Sequence, residues 1–260
     1  PYRPSARPLG QSVVGAASPI TLQEVLAVAA LQTRVDRKYL LTPEEFTCLA
    51  SSLDGRFRAL EIAGSRLHGY ESVYFDTQDL SLFRAHKQGR RKRYKVRTRT
   101  YTDTEQCLFE IKMEGPRGLT IKERMDYPMA HRGHLDQQAN QFLSDHLRKY
   151  DRLETPELSP SLTTSYSRAT LVDSLEGARL TIDVGLGFES RAERRRGPDR
   201  ILVESKSAGL AVADRLLAAQ GVRPISASKY CLGVALCHPT QSANKWNRLL
   251  RREFGWLREH

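Results

Sequence analysis

Tryptophan, methionine and cysteine are scarce in this chain, at 2, 3 and 4 of 260 residues. Cys48, Cys107, Cys231 and Cys237 form no C-x-x-C pair and no zinc-type spacing, which predicts reduced, mostly buried thiols of a cytosolic protein. The seven histidines show no ligand spacing either, and none is assigned a role. No apolar run approaches the roughly 18 residues of a membrane span, and the first residues carry no signal-like apolar stretch. The expectation is therefore a soluble, cytoplasmic protein. There is no internal repeat and no linker long enough to separate a pair of domains. One domain is expected over 19–238, after a flexible Pro- and Gly-rich lead-in (1–18) and before a C-terminal amphipathic helix (239–260). Acids are the minority charge, 30 against 41 Lys and Arg, so the net charge is +11. That excess calls for an acidic partner: nucleic acid, an anionic membrane or a polyanionic small substrate.

What the chain has instead is a ladder of cations, Arg90 to Tyr101, read RRKRYKVRTRTY. In an extended strand Lys95, Arg97 and Arg99 project from one face, and Tyr94, Val96, Thr98 and Thr100 from the other. Alone, such a ladder is ordinarily a solvated face, but other segments repeat it. Residues 33–41 alternate Arg34, Asp36 and Lys38 on one side. CLFEIKMEG sets Glu110, Lys112 and Glu114 against Phe109, Ile111 and Met113, and LTIKERMDY sets Thr120, Lys122 and Arg124 against Ile121, Glu123 and Met125. With the ladder, these last two predict an antiparallel meander. Thr164, Tyr166 and Arg168, then Arg179, Thr181 and Asp183, then Glu204 and Lys206 continue the polar face in later strands.

Helices are predicted between the strands. Thr21 with Glu24 and Thr42 with Glu45 are capping boxes, the second followed by Pro43 at the first helical position. Residues 80–88, 134–149, 210–219, 226–230 and 241–258 supply further helical stretches. These helices cover the apolar strand faces. Closure of the sheet then becomes the expected solution, because a closed sheet has no edges, and the charged faces would line its lumen. The fold class expected is α+β: a closed antiparallel β-barrel with helices packed around the outside.

The motifs DRKY (36–39), VYFDT (73–77), KVRTRTY (95–101), FEIK (109–112), IKER (121–124), SYSR (165–168), RLTIDVGL (179–186), LVESK (202–206) and SKY (228–230) stand in order along the chain. Together they resemble the vacuolar transporter chaperone (VTC) polyphosphate-polymerase domain of the triphosphate tunnel metalloenzyme, or CYTH-like, superfamily. The resemblance implies a barrel tunnel and transfer of the ATP γ-phosphate to a polyphosphate chain, with a divalent metal, Mn2+ or Mg2+. Carried over by motif position, Lys38, Arg97, Arg99, Lys112, Lys122, Arg168 and Lys229 would clamp reacting phosphates. Arg179, Lys206, Tyr166 and Ser228 would bind substrate, and Glu204 would hold the metal. The implied partners are ATP and inorganic polyphosphate. A membrane-protein partner is allowed for, because polymerase-type members are often tied to membrane modules.

Hydrolytic members of the superfamily open with Glu-x-Glu-x-Lys, where this chain has Arg34, Asp36 and Lys38. Loss of the first acid favours transfer or binding over hydrolysis. The alternatives held open are a triphosphatase or nucleotidyl cyclase of the same fold, and a non-catalytic polyphosphate-binding module. Nucleic acid is not expected, because the cationic faces carry few aromatic platforms beyond Tyr166. Glu110 and Asp183 are expected as ion-pair partners of neighbouring cations, Arg90–Arg93 and Arg194–Arg196 as exposed charge. Trp246, Leu249, Leu250, Glu253 and Leu257 would share one side of the C-terminal helix, which either covers the barrel or meets a membrane surface.

Overall fold

The computed structural model describes residues 14–29, 35–53, 55–114, 120–149, 154–238, 241 and 243–255. Arg34, the 115–118 loop, Leu257 and most of the lead-in lie outside these. The elements run β1 (Ser18–Ile20), α1 (Leu22–Ala29), β2 (Val35–Leu41), α2 (Pro43–Ser52), β3 (Phe57–Leu60), β4 (His68–Asp76), α3 (Ser81–Lys87), β5 (Tyr94–Tyr101) and β6 (Gln106–Glu114). They continue with β7 (Thr120–Asp126), α4 (Gln137–Lys149), β8 (Ser159–Asp173), β9 (Arg179–Glu189), β10 (Arg194–Arg196), β11 (Ile201–Ser207), α5 (Val212–Ala219), α6 (Lys229–Cys237) and α7 (Asn247–Phe254).

The class is mixed α and β, and every strand pair of defined register is antiparallel except β1 with β3. Among the described residues the expected closure is not found. The strand order β2-β11-β9-β8-β4-β5-β6-β7 is an open path with β2 and β7 at its ends. Both end strands carry charge: Asp36, Arg37 and Lys38 on β2, and Lys122, Glu123 and Arg124 on β7, all exposed or half-buried. Charged side chains along an edge deter further strand addition, so closure is not the only way to protect it.

By internal packing the chain divides into two compact units of interleaved segments. The first comprises Pro1–Gly69, Tyr166–Leu186 and Gly197–Ala227. In it Tyr39 and Leu41 of β2, Ile201 and Val203 of β11, and Leu180 and Ile182 of β9 share a face that is buried under Phe46 and Leu49 of α2 and Ala213 and Leu217 of α5. Helix α2 begins where predicted: Thr42 Oγ1 accepts from Glu45 N at 3.1 Å, and Thr42 N donates to Glu45 Oε2 at 2.8 Å. Helix α5 is fastened by Asp214, which is 1% exposed. It accepts from Tyr39 Oη at 2.9 Å, Ser205 Oγ at 3.2 Å and Ala211 N at 3.0 Å. Burial and this carboxylate push the Tyr39 hydroxyl above the tyrosine range.

The second unit comprises Tyr70–Ser165, Gly187–Arg196 and Ser228–His260. Strand β5 alternates without a break: Tyr94, Val96, Thr98 and Thr100 are buried, while Lys95, Arg97, Arg99 and Tyr101 are half-buried. The buried side joins Phe109, Ile111 and Met113 of β6 beneath Ala139, Leu143 and Leu147 of α4. The ladder's first four residues, Arg90–Arg93, precede the strand rather than extend it. Helix α7 is shorter than the 241–258 expected, because Gly255 adopts a left-handed φ of 60° that ends it. Trp246, just before it, and its Leu250 are buried, and Arg248, Arg251 and Arg252 are exposed.

Asp76, fully buried, organises the helices of this unit. It accepts from Thr77 N at 2.7 Å, Leu82 N at 2.9 Å and Phe83 N at 2.9 Å, capping α3, and also from Thr77 Oγ1 at 3.3 Å and from Tyr230 Oη of α6. Burial and Asp76 together hold the Tyr230 hydroxyl well above the ordinary tyrosine range. Replacing Tyr230 by Phe removes a hydrogen bond to a charged, buried acceptor. The expected loss is about 2 kcal/mol of unfolding free energy, read by urea denaturation.

Candidate functional site

Registers across β4 to β7 settle which side chains share a face. Tyr74 lies opposite Arg97, Arg97 opposite Glu110, and Glu110 opposite Arg124. Lys95, Lys112 and Lys122 form the next row, and Ser72, Arg99, Leu108 and Asp126 the row on the other side. Directly opposed residues project to the same side. The face therefore gathers six cations, Lys95, Arg97, Arg99, Lys112, Lys122 and Arg124, with three acids, Glu110, Asp126 and, at the end of β6, Glu114. Four of the predicted clamps (Arg97, Arg99, Lys112 and Lys122) stand on it together.

Glu110 is the hub of this face. It is 1% exposed, and its Oε2 accepts from Arg97 Nε at 2.7 Å. Arg99 Nε stands 3.8 Å from the same oxygen, and Lys122 Nζ contacts Oε1. Burial opposes the Glu110 charge, but the cations of Arg97, Arg99 and Lys122 outweigh it and hold the carboxyl well below the usual range. Arg97 also donates to Tyr74 Oη at 2.9 Å, and the Arg99 guanidinium lies 5.7 Å from the centre of the Tyr70 ring. Lys122 shows the opposite balance. Desolvation and repulsion from Arg99 outweigh Glu110, and its ammonium is pulled down to about 8. The field reaches His86, which burial and Lys95 bring down to about 3, leaving it neutral.

In the first unit the predicted residues are more evenly matched. Lys38 lies opposite Glu204, Glu204 opposite Thr181, and Lys206 opposite both Asp36 and Arg179. Lys206 Nζ donates to Glu204 Oε1 at 2.9 Å and reaches Asp36 Oδ2 at 3.5 Å, while Lys38 Nζ is 3.9 Å from Glu204. Arg168 grips Asp183 in a fork, Nε to Oδ1 at 2.6 Å and Nη2 to Oδ2 at 2.8 Å, and its guanidinium lies 5.3 Å from the Tyr166 ring centre. This fork is the pairing expected of Asp183.

Ser228 is the N-cap of α6, its Oγ accepting from Cys231 N at 3.2 Å, and Lys229 is that helix's first residue. Three buried hydroxyls, Ser72, Thr164 and Thr181, form no hydrogen bond through their oxygens; alternation places the two threonines on the polar face, and only Ser72 has no signal in the sequence. Register sets Thr181 opposite Glu204 and brings Ser72 opposite Arg99. Of the thiols, Cys107, Cys231 and Cys237 are buried and Cys48 is exposed.

For a divalent metal, the described residues assemble no group of three or more His, Cys, Asp or Glu side chains. Glu204 and Asp36, both within reach of Lys206, form a two-carboxylate set. That set fits a hard cation only if phosphate oxygens and water complete the coordination, the manner in which Mg2+ is commonly bound. No described helix is long and apolar enough to cross a membrane.

Sheet and site define a mixed α/β protein whose antiparallel strands carry clustered Lys and Arg around buried carboxylates. The chain belongs to the VTC domain family, which it matches over residues 33–238. No curated protein matches it. Among solved structures it is similar to a candidate adenylyl cyclase from Hippeastrum with a dominant triphosphatase activity, at 15% identity, TM-score 0.46, over 78% of this chain and 96% of that one. A candidate adenylate cyclase from Vibrio parahaemolyticus is similar at 14% identity, TM-score 0.42, over 76% and 95%. The S. pombe Pct1 RNA triphosphatase is similar at 14% identity, TM-score 0.26, over 86% and 78%. Likenesses at these scores carry no information on the activity of this chain.

Replacing Glu110 by Gln tests the hub. It leaves buried cations without their counter-charge and is expected to cost about 3 kcal/mol in a denaturant titration. Because Glu110 supports the charged form of Lys122, the variant also lowers the Lys122 titration midpoint below about 8, read by NMR of the lysine side chains. In the wild type, Glu110 binds its proton less tightly folded than unfolded. Its contribution is full above the ordinary glutamate pKa and is lost as pH falls toward its depressed folded value.

Proposed function

We propose that this VTC domain is a metal-dependent phosphotransferase that moves the γ-phosphate of ATP onto a polyphosphate chain, and that residues 19–238 act as one functional domain. The observation that carries the reading is the face of β5, β6 and β7, where six Lys and Arg stand with three acids. A ligand meeting that face must bring several negative charges, and a chain of phosphates does so at close spacing. Phosphoryl transfer asks the protein mainly to position the reactants and neutralise charge. Arg97 and Arg99 act as fixed forks, and Lys112 and Lys122 as movable point charges. The acceptor phosphate oxygen is already ionised near neutral pH, so no general base is required.

Lys38, Arg168 and Lys229 would contact the reacting phosphates, and Tyr166, Arg179, Lys206 and Ser228 the rest of the substrate. Glu204 would hold a Mn2+ or Mg2+ ion, whose chemistry is to screen charge on the transferring group. ATP and polyphosphate are the proposed substrates and nucleic acid is not among them. A cytoplasmic location, with a membrane protein as a further partner, goes with this reading.

The deciding assay incubates purified protein with ATP and Mn2+ and separates the products. A phosphate chain is expected, whereas free phosphate or cyclic nucleotide alone would replace the reading with a triphosphatase or cyclase. Glu204→Ala is expected to abolish turnover, and undiminished turnover would sink the metal assignment.

A second prediction concerns pH. Lys122 loses its proton near 8, so tripolyphosphate affinity is expected to fall as pH rises from 7 to 9. Lys122→Arg, charged throughout, should flatten that profile in calorimetric titrations at each pH.

A further inference from the structure

We propose that Ser72 and Arg99 together bind one phosphoryl oxygen of the substrate, making Ser72 a binding residue of the cationic face. The inference rests on the phosphate-chain reading above and adds a contact to it. Ser72 of β4 and Arg99 of β5 are directly opposed in the register, so both side chains project to the side of Arg97 and Glu110. Ser72 is 1% exposed, the Arg99 side chain 11%. Neither Ser72 Oγ nor Arg99 Nε forms a hydrogen bond, and the 3.8 Å from Arg99 Nε to Glu110 is too long for one. Buried polar atoms are nearly always satisfied, so two neighbouring exceptions call for an account.

The adjacent rung gives the contrast. Arg97 and Tyr74 are also directly opposed, but that pair is closed internally, Arg97 donating to Tyr74 Oη at 2.9 Å and to Glu110 at 2.7 Å. On the rung of Ser72 and Arg99 the hydroxyl and the Nε–H are both left without a partner. Its charged neighbours by register and contact are Arg97, Glu110, Lys122 and Asp126, with the Tyr70 ring beside the guanidinium. An acceptor drawn to two adjacent donors in this cationic setting is an anionic oxygen. On a phosphate chain one oxygen takes the Nε–H of Arg99 and the hydroxyl proton of Ser72.

The test is isothermal titration of wild type and Ser72→Ala with tripolyphosphate, alongside thermal melts of each without ligand. Deleting a hydrogen bond to a charged acceptor is expected to weaken binding about tenfold. The ligand-free Tm should stay the same or rise, because an unsatisfied buried hydroxyl has been removed. Equal affinities for the two proteins overturn the proposal, leave water as the partner of the rung, and leave the phosphate-chain reading standing. Parallel losses of Tm and affinity would make Ser72 a structural residue and overturn it as well. A wild type that does not bind tripolyphosphate overturns both readings together.

Discussion

The carboxylate of Glu110 is the constraint on which the cationic face depends. Arg97 and Arg99 sit two residues apart on one strand, and Lys122 comes in from β7, so the three would repel one another without a negative charge among them. Burying an acid is costly unless it is paired, and here three cations pair it. The arrangement fixes the side chains in place while the face keeps an excess of positive charge. The cationic groups are thus oriented before any anion arrives, which is the condition for electrostatic work at low reorganisation cost.

The same device recurs with a different balance. In the first unit Arg168 is held by Asp183, and Lys206 and Lys38 by Glu204, with Asp36 close by. Counting Arg179, four cations there stand with three acids, whereas β5 to β7 set six against three. Carboxylates also act on the opposite faces. Within DRKY, Lys38 pairs toward Glu204, while Arg37 and Tyr39 turn to Asp214 and fasten α5. Asp76 of VYFDT and Tyr230 of SKY form one buried bond between α3 and α6. Strand alternation thus divides DRKY, a single string in the sequence, into a candidate-site residue and residues that position a helix.

That alternation explains what was legible in the sequence. A period of two fixes faces before any pairing is known, so the sides of Lys95, Arg97, Arg99, Lys112, Lys122 and Arg124 could be assigned from the residues alone. The capping box at Thr42 was equally local. Closure was not legible, because charges at Asp36, Arg37, Lys122 and Arg124 look alike whether they line a lumen or guard an edge. The bond between Asp76 and Tyr230 spans 154 positions and leaves no periodic trace. Ser72 is a lone serine with nothing to distinguish it until register sets it beside Arg99. Ser228 carried a motif signal, but its hydroxyl is already engaged in capping α6, so a substrate contact there would use its remaining hydrogen-bonding capacity.

The placement of the two kinds of cation bears on how a chain of phosphates could be both held and released. The guanidiniums of Arg97 and Arg99 are half-buried, braced by Glu110, Tyr74 and Tyr70, and cannot follow a moving ligand. Lys112 and Lys122 are more exposed, on flexible aliphatic stems in the neighbouring strands, although Lys122 Nζ also contacts Glu110. A face of arginine forks alone would bind a polyanion tightly in one register and resist its displacement. A face of lysines alone would attract the chain without fixing the reacting phosphate. Under the phosphotransfer proposed above, fixed forks beside more mobile ammoniums would let one phosphate be positioned while its neighbours exchange partners. The depressed titration of Lys122 fits that division, since an ammonium near 8 contributes its charge more weakly than an ordinary lysine and yields it at lower cost.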